Sequence, residues 1–581
     1  MKSNKFDITR LKGKPGQMRD WLMRHRLPYK LVFFIMGIAS TIWFLIRVIP
    51  KPSRATYPCM RIAAPFMSGF VTYLLAVAGL TAISRRSRKK IVNVRFGATF
   101  MLLTAVVVAM AVMPSNNIYQ TTETRMGPED GPNRPIGEAK GIFPGRVVWV
   151  WNPDATNEKF EHNDFDTYDW FISAHNNNEA VIGKMLRDGV LKLTGKQDVK
   201  EAWDAMFRFF NEKKKHENTG YAKGEQIFIK INQGQAGWVL SAEDKEKGYA
   251  LPHTLPKGQE NRKVSMEPTE TGPYAVLELL RELVNEEGVA QSDIWLGDPM
   301  NPIYAHNYDV WSKEFPDIKY IDRNSTTYGR TLIKYSENPL VYYSDKTTTD
   351  KLYDVIENAD YMILMAVLKS HGAAGISLTA KLNFGNIGRV SAGHLHYSHV
   401  ANRREGVPNN TGYHKYRVFV DLMGSKYLGQ NTLFWFVEGL YGGGAAEIKG
   451  PVKYFMPPFN GDWCNSMFMS LDPVAIESVG YDFLRTEWDG VHKHDAVNND
   501  WETMPNAFGV DDYIHQAADP ANWPEGIVYD PDNSGNKVPV LGVHEHWNNP
   551  VDKQYSRNLG TGNGIELVSI PEALVKSVQR N

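Results

Sequence analysis

The sequence predicts an α/β domain, with a largely parallel or mixed sheet flanked by helices and long loops, that follows three N-terminal transmembrane helices. Two observations support this prediction. Three long uncharged apolar stretches lie within the first 113 residues, and beyond them short β-branched runs alternate with segments whose apolar residues recur every three or four positions. The second pattern is typical of an α/β chain, in which strands and amphipathic helices follow one another.

The three apolar stretches are predicted to span a membrane. Each is close to the roughly 20 residues that a helix needs to cross a bilayer. A signal peptide is the alternative for the first stretch, but no small-residue cleavage site follows it and two further stretches come after it. The stretches cover residues 31–46, 62–84 and 96–113. We therefore divide the chain into a basic N-terminal segment, three membrane spans, a linker and an α/β domain, at residues 1–30, 31–113, 114–144 and 145–581.

Basic residues around the spans predict their orientation. Nine Lys and Arg residues precede the first span, and six lie between the second and the third. Short loops rich in these residues stay in the cytoplasm. We therefore expect a bacterial inner-membrane protein with a cytoplasmic N-terminus, the lipid bilayer as a partner, and everything beyond Met113 in the periplasm.

Charge and cysteine content exclude two kinds of function. Nineteen of the 65 basic residues but only two of the 65 acidic ones lie before Met113, so the exported part has about seventeen excess negative charges. Such a surface repels phosphate backbones, and we expect no nucleic-acid partner. Cys59 and Cys464 cannot ligate an iron–sulfur cluster by themselves, so none is expected. We favour two free thiols over a bridge between them.

Beyond the linker, strand and helix patterns alternate. The predicted strands cover residues 146–151, 227–232, 293–298, 361–368, 417–423 and 467–472. The predicted helices cover residues 178–193, 199–215, 273–288 and 472–488.

Polar residues at the ends of several predicted strands are candidates for a binding site. Ligands of open α/β sheets gather beyond the carboxyl ends of the strands, so we expect these side chains to share one rim. The alternative is that each simply faces water. The residues are Lys230, Asn232, Asp298, Lys369, His371 and Asp472.

The stretch "LKSHGAAGISLTAKLNFGN", from Leu368 to Asn386, contains the most promising group of side chains. Its glycines allow the backbone to approach a ligand, and the residues after them can begin a helix whose N-terminal amides favour an anion. Lys381 lies within reach. The stretch therefore predicts a pocket for a carboxylate or phosphate, in which His371 could move a proton.

Two histidine-rich stretches are candidate sites for a divalent metal ion. They supply His394, His396 and His399 in "GHLHYSH", and His544, Glu545 and His546 in "VHEHW". Residues two apart on a strand point the same way, so His394 with His396, or His544 with His546, could share a metal. The alternative is that these histidines are solvated or hydrogen-bonded loop residues.

Several of these stretches together resemble the bacterial family called domain of unknown function 362. The matching motifs, in order, are "IFIKIN", "WLGDP", "LKSHGAAGISLTAKLNFGN", "FVEGLYGG" and "MSLDPVAIESVGYDFL". The resemblance places Lys369, His371 and Lys381 in the central motif, Glu438 in the fourth and Asp472 in the last. The Lys–x–His pattern and its downstream lysine are also faintly similar to nickel-pincer lactate racemases and their relatives, which act on 2-hydroxy acids.

Two functional hypotheses follow. In the first, the exported domain is a metal-assisted enzyme that acts on a small anion. His371, Lys381 and Lys369 would be catalytic, and the substrate would be bound by Lys230, Asn232, Asp298, Glu438 and Asp472. In the second, the domain is a non-enzymatic component of the envelope that binds a partner protein or carbohydrate through its tryptophan-containing loops. The sequence names no substrate.

Overall fold

The structure is a computed structural model, and it describes residues 127–128, 130–162, 169–233, 269–324, 326, 329–400, 410–443, 450–488 and 509–576. The predicted membrane spans lie outside these residues. Within them, no helix is long and apolar enough to cross a membrane.

The strands, in chain order, are β1 (Ile136–Gly137), β2 (Arg146–Trp151), β3 (Ile227–Ile231), β4 (Ile294–Gly297), β5 (Lys319–Asp322), β6 (Arg330–Leu332), β7 (Val341–Tyr342), β8 (Thr349–Asp350), β9 (Tyr361–His371), β10 (Gly375–Ile376), β11 (Thr432–Gly443), β12 (Ser466–Ser470), β13 (Val543–His544) and β14 (Glu566–Ile570). The α-helices are α1 (Glu179–Thr194), α2 (Val199–Lys214), α3 (Pro273–Arg281), α4 (Ala305–Glu314), α5 (Asp354–Glu357), α6 (Thr379–Leu382), α7 (Val418–Gly424), α8 (Pro473–Glu487), α9 (Asp512–Ala518) and α10 (Ser556–Leu559).

A ten-stranded mixed sheet organises the domain. Its strands lie in the order β14-β2-β12-β11-β9-β3-β4-β5-β6, and β10 pairs with the end of β9. Along this order all neighbours are parallel except the pairs that β12 makes with β11 and β2. The carboxyl ends of the other strands in the order therefore lie at one edge, which we call the carboxyl edge. β12 ends at the opposite edge.

Both faces of the sheet are covered, which is why its central strands are apolar on both sides. Val148 and Val150 of β2 point into one core, against α1 to α4. Val147 and Trp149 point into a second core, against α6 to α9. The fold class predicted from the sequence is thus confirmed for the α/β domain, and the sheet is mixed.

One predicted strand is wrong. Residues 417–423 were expected to be extended, but Val418–Gly424 form α7, and all seven of its residues are buried. A short segment that is buried on every side shows neither the period of a strand nor that of a helix. Asp421 belongs to the buried set because its carboxylate accepts hydrogen bonds from the backbone amide and the hydroxyl of Ser344.

Candidate functional site

A buried ion pair lies at the carboxyl edge, where β3 and β4 end. The ammonium group of Lys230 lies 3.0 Å from a carboxylate oxygen of Asp298. Burial lowers the pKa of Lys230, and the Asp298 carboxylate opposes that shift. Gly385 allows the chain to cover the pair closely, since a Cβ atom there would lie 2.6 Å from both Lys230 Nζ and Asp298 Oδ1.

Further polar groups extend this edge toward β9 and β11. The Lys369 ammonium group donates to Asn232 Oδ1 at 2.8 Å. The backbone amide of Asn232 donates to the Thr271 hydroxyl at 2.9 Å, and the backbone amide of Gly272 donates to Glu438 Oε2 at 3.2 Å. Burial raises the pKa of Glu438 to about 7, although the Gly272 amide opposes the shift. The segment before α3 thus connects the ends of three strands.

The structure brings most of the predicted rim together, but not Asp472. Lys230, Asn232, Asp298 and Lys369 lie along the carboxyl edge. Asp472 follows β12, which runs against its neighbours, so it lies at the opposite edge. There its side chain caps α8, accepting hydrogen bonds from the amides of Val474 and Ala475. The prediction that Asp472 shares the rim is therefore wrong.

His371 ends β9 with its ring orientation fixed by the backbone. Its Nδ1 atom accepts hydrogen bonds from the amides of Ala373 at 3.0 Å and Ala374 at 3.1 Å. In the neutral ring the proton must therefore lie on Nε2. The His371 ring centroid is 5.7 Å from that of His399.

His399 is fully buried, and neither of its ring nitrogens has a hydrogen-bond partner in the structure. Its ring centroid lies 4.5 Å from that of His396 and 5.1 Å from that of Phe384. The Lys381 ammonium group lies 4.1 Å from the Phe384 centroid. Burial lowers the pKa of His399 well below its usual value, and Lys381 adds to the shift. We call His371, Lys381, His396 and His399 the His399 cluster; its chemistry suits an anion.

The predicted metal pair His394 and His396 is wrong. These residues lie in the 3₁₀ helix Val390–Ser398 rather than in a strand, and residues two apart in such a helix point in different directions. His394 Nε2 lies 2.7 Å from a carboxylate oxygen of Asp350. His396 instead contacts His399.

A second cluster, which we call the His/Asp centre, consists of Asp130, Asp511, His515, His544 and His546. The Nε2 atoms of His515, His546 and His544 lie 2.7, 3.3 and 3.6 Å from Asp130 Oδ2. Asp511 Oδ2 lies 3.8 Å from His515 Nε2 and 3.9 Å from His546 Nε2. Ligand atoms of Asp130, Asp511, His515 and His544 all lie within 4.8 Å of one another, so these residues could hold a metal ion.

Helix α8 orients two of these histidines from behind. His546 Nδ1 lies 2.8 Å from a carboxylate oxygen of Asp482, and His544 Nδ1 lies 2.8 Å from the Ser478 hydroxyl. Bonds of this kind fix the tautomer of a metal-ligating histidine and direct its other nitrogen toward the metal. The Nε2 atom of His544 is buried and has no hydrogen-bond partner among the residues that the structure describes, and burial lowers the pKa of this ring to about 4.

The spacing of these atoms fits a transition-metal ion. Nitrogen and oxygen ligands bind such ions at about 2.0–2.2 Å, which separates neighbouring ligand atoms by roughly 3 Å and opposite ones by roughly 4 Å. The histidine–carboxylate distances given above run from 2.7 to 3.9 Å, and the ligand atoms of Asp130, Asp511, His515 and His544 all lie within 4.8 Å of one another. Imidazole and carboxylate together suit zinc and its neighbours in the first transition series.

The sequence predicted only part of this centre. His544 and His546 were expected to point the same way, and they do. Glu545, between them, points to the other side, where its carboxylate accepts hydrogen bonds from the amide and hydroxyl of Ser556. Its prediction as a ligand is wrong, because successive residues of an extended chain face opposite ways.

Three members of the centre were not predicted. Asp130 lies within the predicted linker, 385 residues before its partner His515, and no motif marks either residue. Asp511 and His515 lie at the start of and within α9, in a part of the chain to which the sequence assigned no element. Their role depends on the fold, so no local signal could have identified them.

The tryptophan-containing loops do not form an exposed binding surface in the part of the chain that the structure describes. Trp170, Trp463 and Trp547 are at most 5% exposed. Trp151 and Trp523 are half-buried against one of the two cores. These tryptophans extend the cores under the loops. Cys464 is likewise a buried free thiol, while Cys59 lies outside the described residues.

Comparison with known proteins supports the family resemblance. The model of the family described as "Domain of unknown function (DUF362)" matches residues 265–482. This range contains most of the carboxyl edge and the His399 cluster, and it ends at Asp482, behind His546. No match was found among curated proteins.

Proposed function

We propose that the protein is a membrane-anchored metalloprotein of the bacterial envelope, whose exported α/β domain is a metal-assisted enzyme acting on a small carboxylate or phosphate. The observation that carries the proposal is the convergence of three imidazole Nε2 atoms on the carboxylates of Asp130 and Asp511. Buried histidines and aspartates at this spacing are the ligand set of a divalent metal.

The ligands of the His/Asp centre are unequal in their access to solvent. The side chains of Asp511, His515, His544 and His546 are at most 8% exposed, whereas that of Asp130 is 22% exposed. A bound divalent metal would supply a Lewis acid there. Asp130 would be the ligand at the solvent side, and the contact of His546 Nδ1 with Asp482 would keep Nε2 of this ring directed toward the metal.

Elemental analysis of the full chain, purified in detergent, tests the metal. We expect about one equivalent of a divalent transition metal, and loss of most of it in His515→Ala and in His546→Ala. His394→Ala is the matched control, because it removes a histidine that the sequence also suggested as a ligand, and it should keep the metal. A wild-type chain that holds no metal after incubation with zinc and dialysis would refute this part of the proposal.

The His399 cluster supports a small anion as substrate. His371 offers Nε2 as the protonated ring nitrogen, and Lys381 adds a positive charge beside the unpaired imidazole of His399. An anion would satisfy the ring nitrogens of His399, and His371 would then give or take a proton. Lys230 and Lys369 are held by Asp298 and Asn232. We therefore propose that Lys230 and Lys369 stabilise the structure of the site and do not contact the anion directly.

Calorimetric titration of the metal-loaded full chain with lactate and with inorganic phosphate tests the anion. We expect one of the two to bind, with affinity at least tenfold weaker in Lys381→Gln and in His371→Gln. Lys196→Gln, an exposed lysine after α1, should bind as the wild type does. If neither probe binds while the metal is present, the proposed anionic substrate is refuted and the proposed metal site is not affected.

The proposed location rests on the basic residues around the predicted spans. Protease added to intact spheroplasts should cleave the α/β domain, whereas protection of this domain would place it in the cytoplasm and contradict the proposed orientation.

A further inference from the structure

A groove of about 490 Å³ lies at the edge of the sheet opposite the carboxyl edge, and none of the residues that line it belongs to either cluster. It forms where α2 ends, β11 begins and α8 begins. Its apolar walls include Phe209 and Phe210 of α2, Leu433 and Trp435 of β11, and Leu541. A volume of this size is typical of sites for single small molecules, which run from roughly 300 to 1,000 Å³.

Four lysines line the groove: Lys140, Lys213, Lys214 and Lys426. Among the described residues that line it there is no aspartate or glutamate. Lys140 pairs with Glu138, whose side chain is 74% exposed. The Lys213 ammonium group lies 4.2 Å from the centroid of Phe209, one helical turn before it.

Burial disfavours the charged form of two of the ammonium groups in the groove. Lys214 Nζ donates a hydrogen bond to Asn431 Oδ1. Burial lowers the pKa of Lys214 to about 8, and the neighbouring Lys215 adds to the shift while Asp360 opposes it. Burial also lowers the pKa of Lys213, and Lys140 adds to it while Asp472 and Glu138 oppose it. The exported part as a whole has an excess of acidic residues. A groove whose charged lining residues, among those described, are all lysines is therefore a local reversal of charge. Such a cleft concentrates the field on an incoming anion.

We propose that this groove binds a small amphipathic anion, with an aromatic or short aliphatic body against Phe209, Leu433 and Trp435 and an acidic head group among the lysines. The site shares no lining residue with the His399 cluster or the His/Asp centre. Binding in the groove requires both the apolar body and the acidic head group of the ligand. The walls bury the apolar body, and the lysines pair with the acidic head group.

Titration calorimetry of the full chain with 1-naphthalenesulfonate tests the groove, and the neutral 1-naphthalenesulfonamide is the matched probe. We expect the sulfonate to bind at least tenfold more tightly than the sulfonamide. In the Lys213→Gln/Lys214→Gln variant the affinity for the sulfonate should fall at least tenfold, while the affinity for the sulfonamide should stay within twofold of the wild-type value. The control Lys196→Gln/Lys200→Gln removes the same charge from two exposed positions, one in the turn after α1 and one in the first turn of α2, and should change the affinity for neither probe.

Three outcomes would overturn the proposal. The first is equal affinity for the two probes, and the second is sulfonate affinity unchanged in Lys213→Gln/Lys214→Gln. The third is loss of sulfonate binding in the presence of an anionic lipid. To test it, the titration is repeated in nanodiscs with and without phosphatidylglycerol, which distinguishes a free anion from a lipid head group. Unchanged sulfonate binding supports a free small anion, whereas its loss in phosphatidylglycerol discs would assign the groove to lipid.

Discussion

Glu282 is a buried carboxylate whose ionisation opposes folding. Its Oε2 atom accepts a hydrogen bond from Trp203 Nε1 at 2.8 Å, and its Oε1 atom has no partner. Burial raises its pKa from 4.5 to about 8. Between these values the unfolded chain has lost a proton that the folded chain keeps, so the free energy of unfolding falls as pH rises. The loss is at most about 1.4 kcal/mol per pH unit.

Glu282→Gln should remove this dependence. We expect its melting temperature, relative to that of the wild type, to rise steadily between about pH 5 and pH 8 as the wild type loses stability. Tryptophan fluorescence during thermal unfolding measures the difference. Glu212→Gln, on the exposed side of α2, is the control and should follow the wild type at every pH. A difference that stays constant with pH would contradict the assignment.

At the scale of elements, α8 depends on its N-terminal cap. Asp472 Oδ1 accepts hydrogen bonds from the first turn of the helix, and Oδ2 accepts from the amides of Lys140 and Val543. Removing a cap costs about 1 kcal/mol, and each buried amide left without a partner costs roughly 1–3 kcal/mol more. Asp472→Ala should therefore lower the melting temperature more than Asp472→Asn, which keeps one acceptor oxygen.

The cap of α2 is the matched control for α8. Asp198 accepts a hydrogen bond from the Glu201 amide at 3.1 Å, at an exposed site. Asp198→Ala should lower the melting temperature by only about the cost of one cap. Equal effects of Asp198→Ala and Asp472→Ala would show that the two buried amides beside Asp472 contribute nothing.

Elements with a clear period were predictable from the sequence, and those without one were not. The apolar residues of α1, α2 and α8 recur at helical spacing, and these helices form within a residue or two of their predicted bounds. By contrast, α7 is buried on all sides and was taken for a strand. The direction of β12 is fixed by its partners β11 and β2 rather than by its residues, and for that reason Asp472 was placed at the wrong edge.

For the whole molecule, the sequence predicted parts of sites but not their assembly. His371 and Lys381 lie ten residues apart in one stretch, so their presence in the same cluster was predictable from the sequence. His399 joins them only because the 3₁₀ helix Val390–Ser398 returns the chain to Phe384. The His/Asp centre shows the same limit, since Asp130 meets His515 through the packing of distant segments.

A metal in the His/Asp centre would join the segment before β1 to the C-terminal part of the domain. Binding only to the folded chain adds about 2.7 kcal/mol to the free energy of unfolding at a hundredfold excess over the dissociation constant. We expect the melting temperature of the full chain to fall by several degrees after chelation, and to recover with zinc. Asp130→Asn should lose more than half of that recovery. Asp154→Asn, at an exposed position, should recover fully. If neither chelator nor zinc changes the melting temperature of the wild-type chain, the centre does not join these segments.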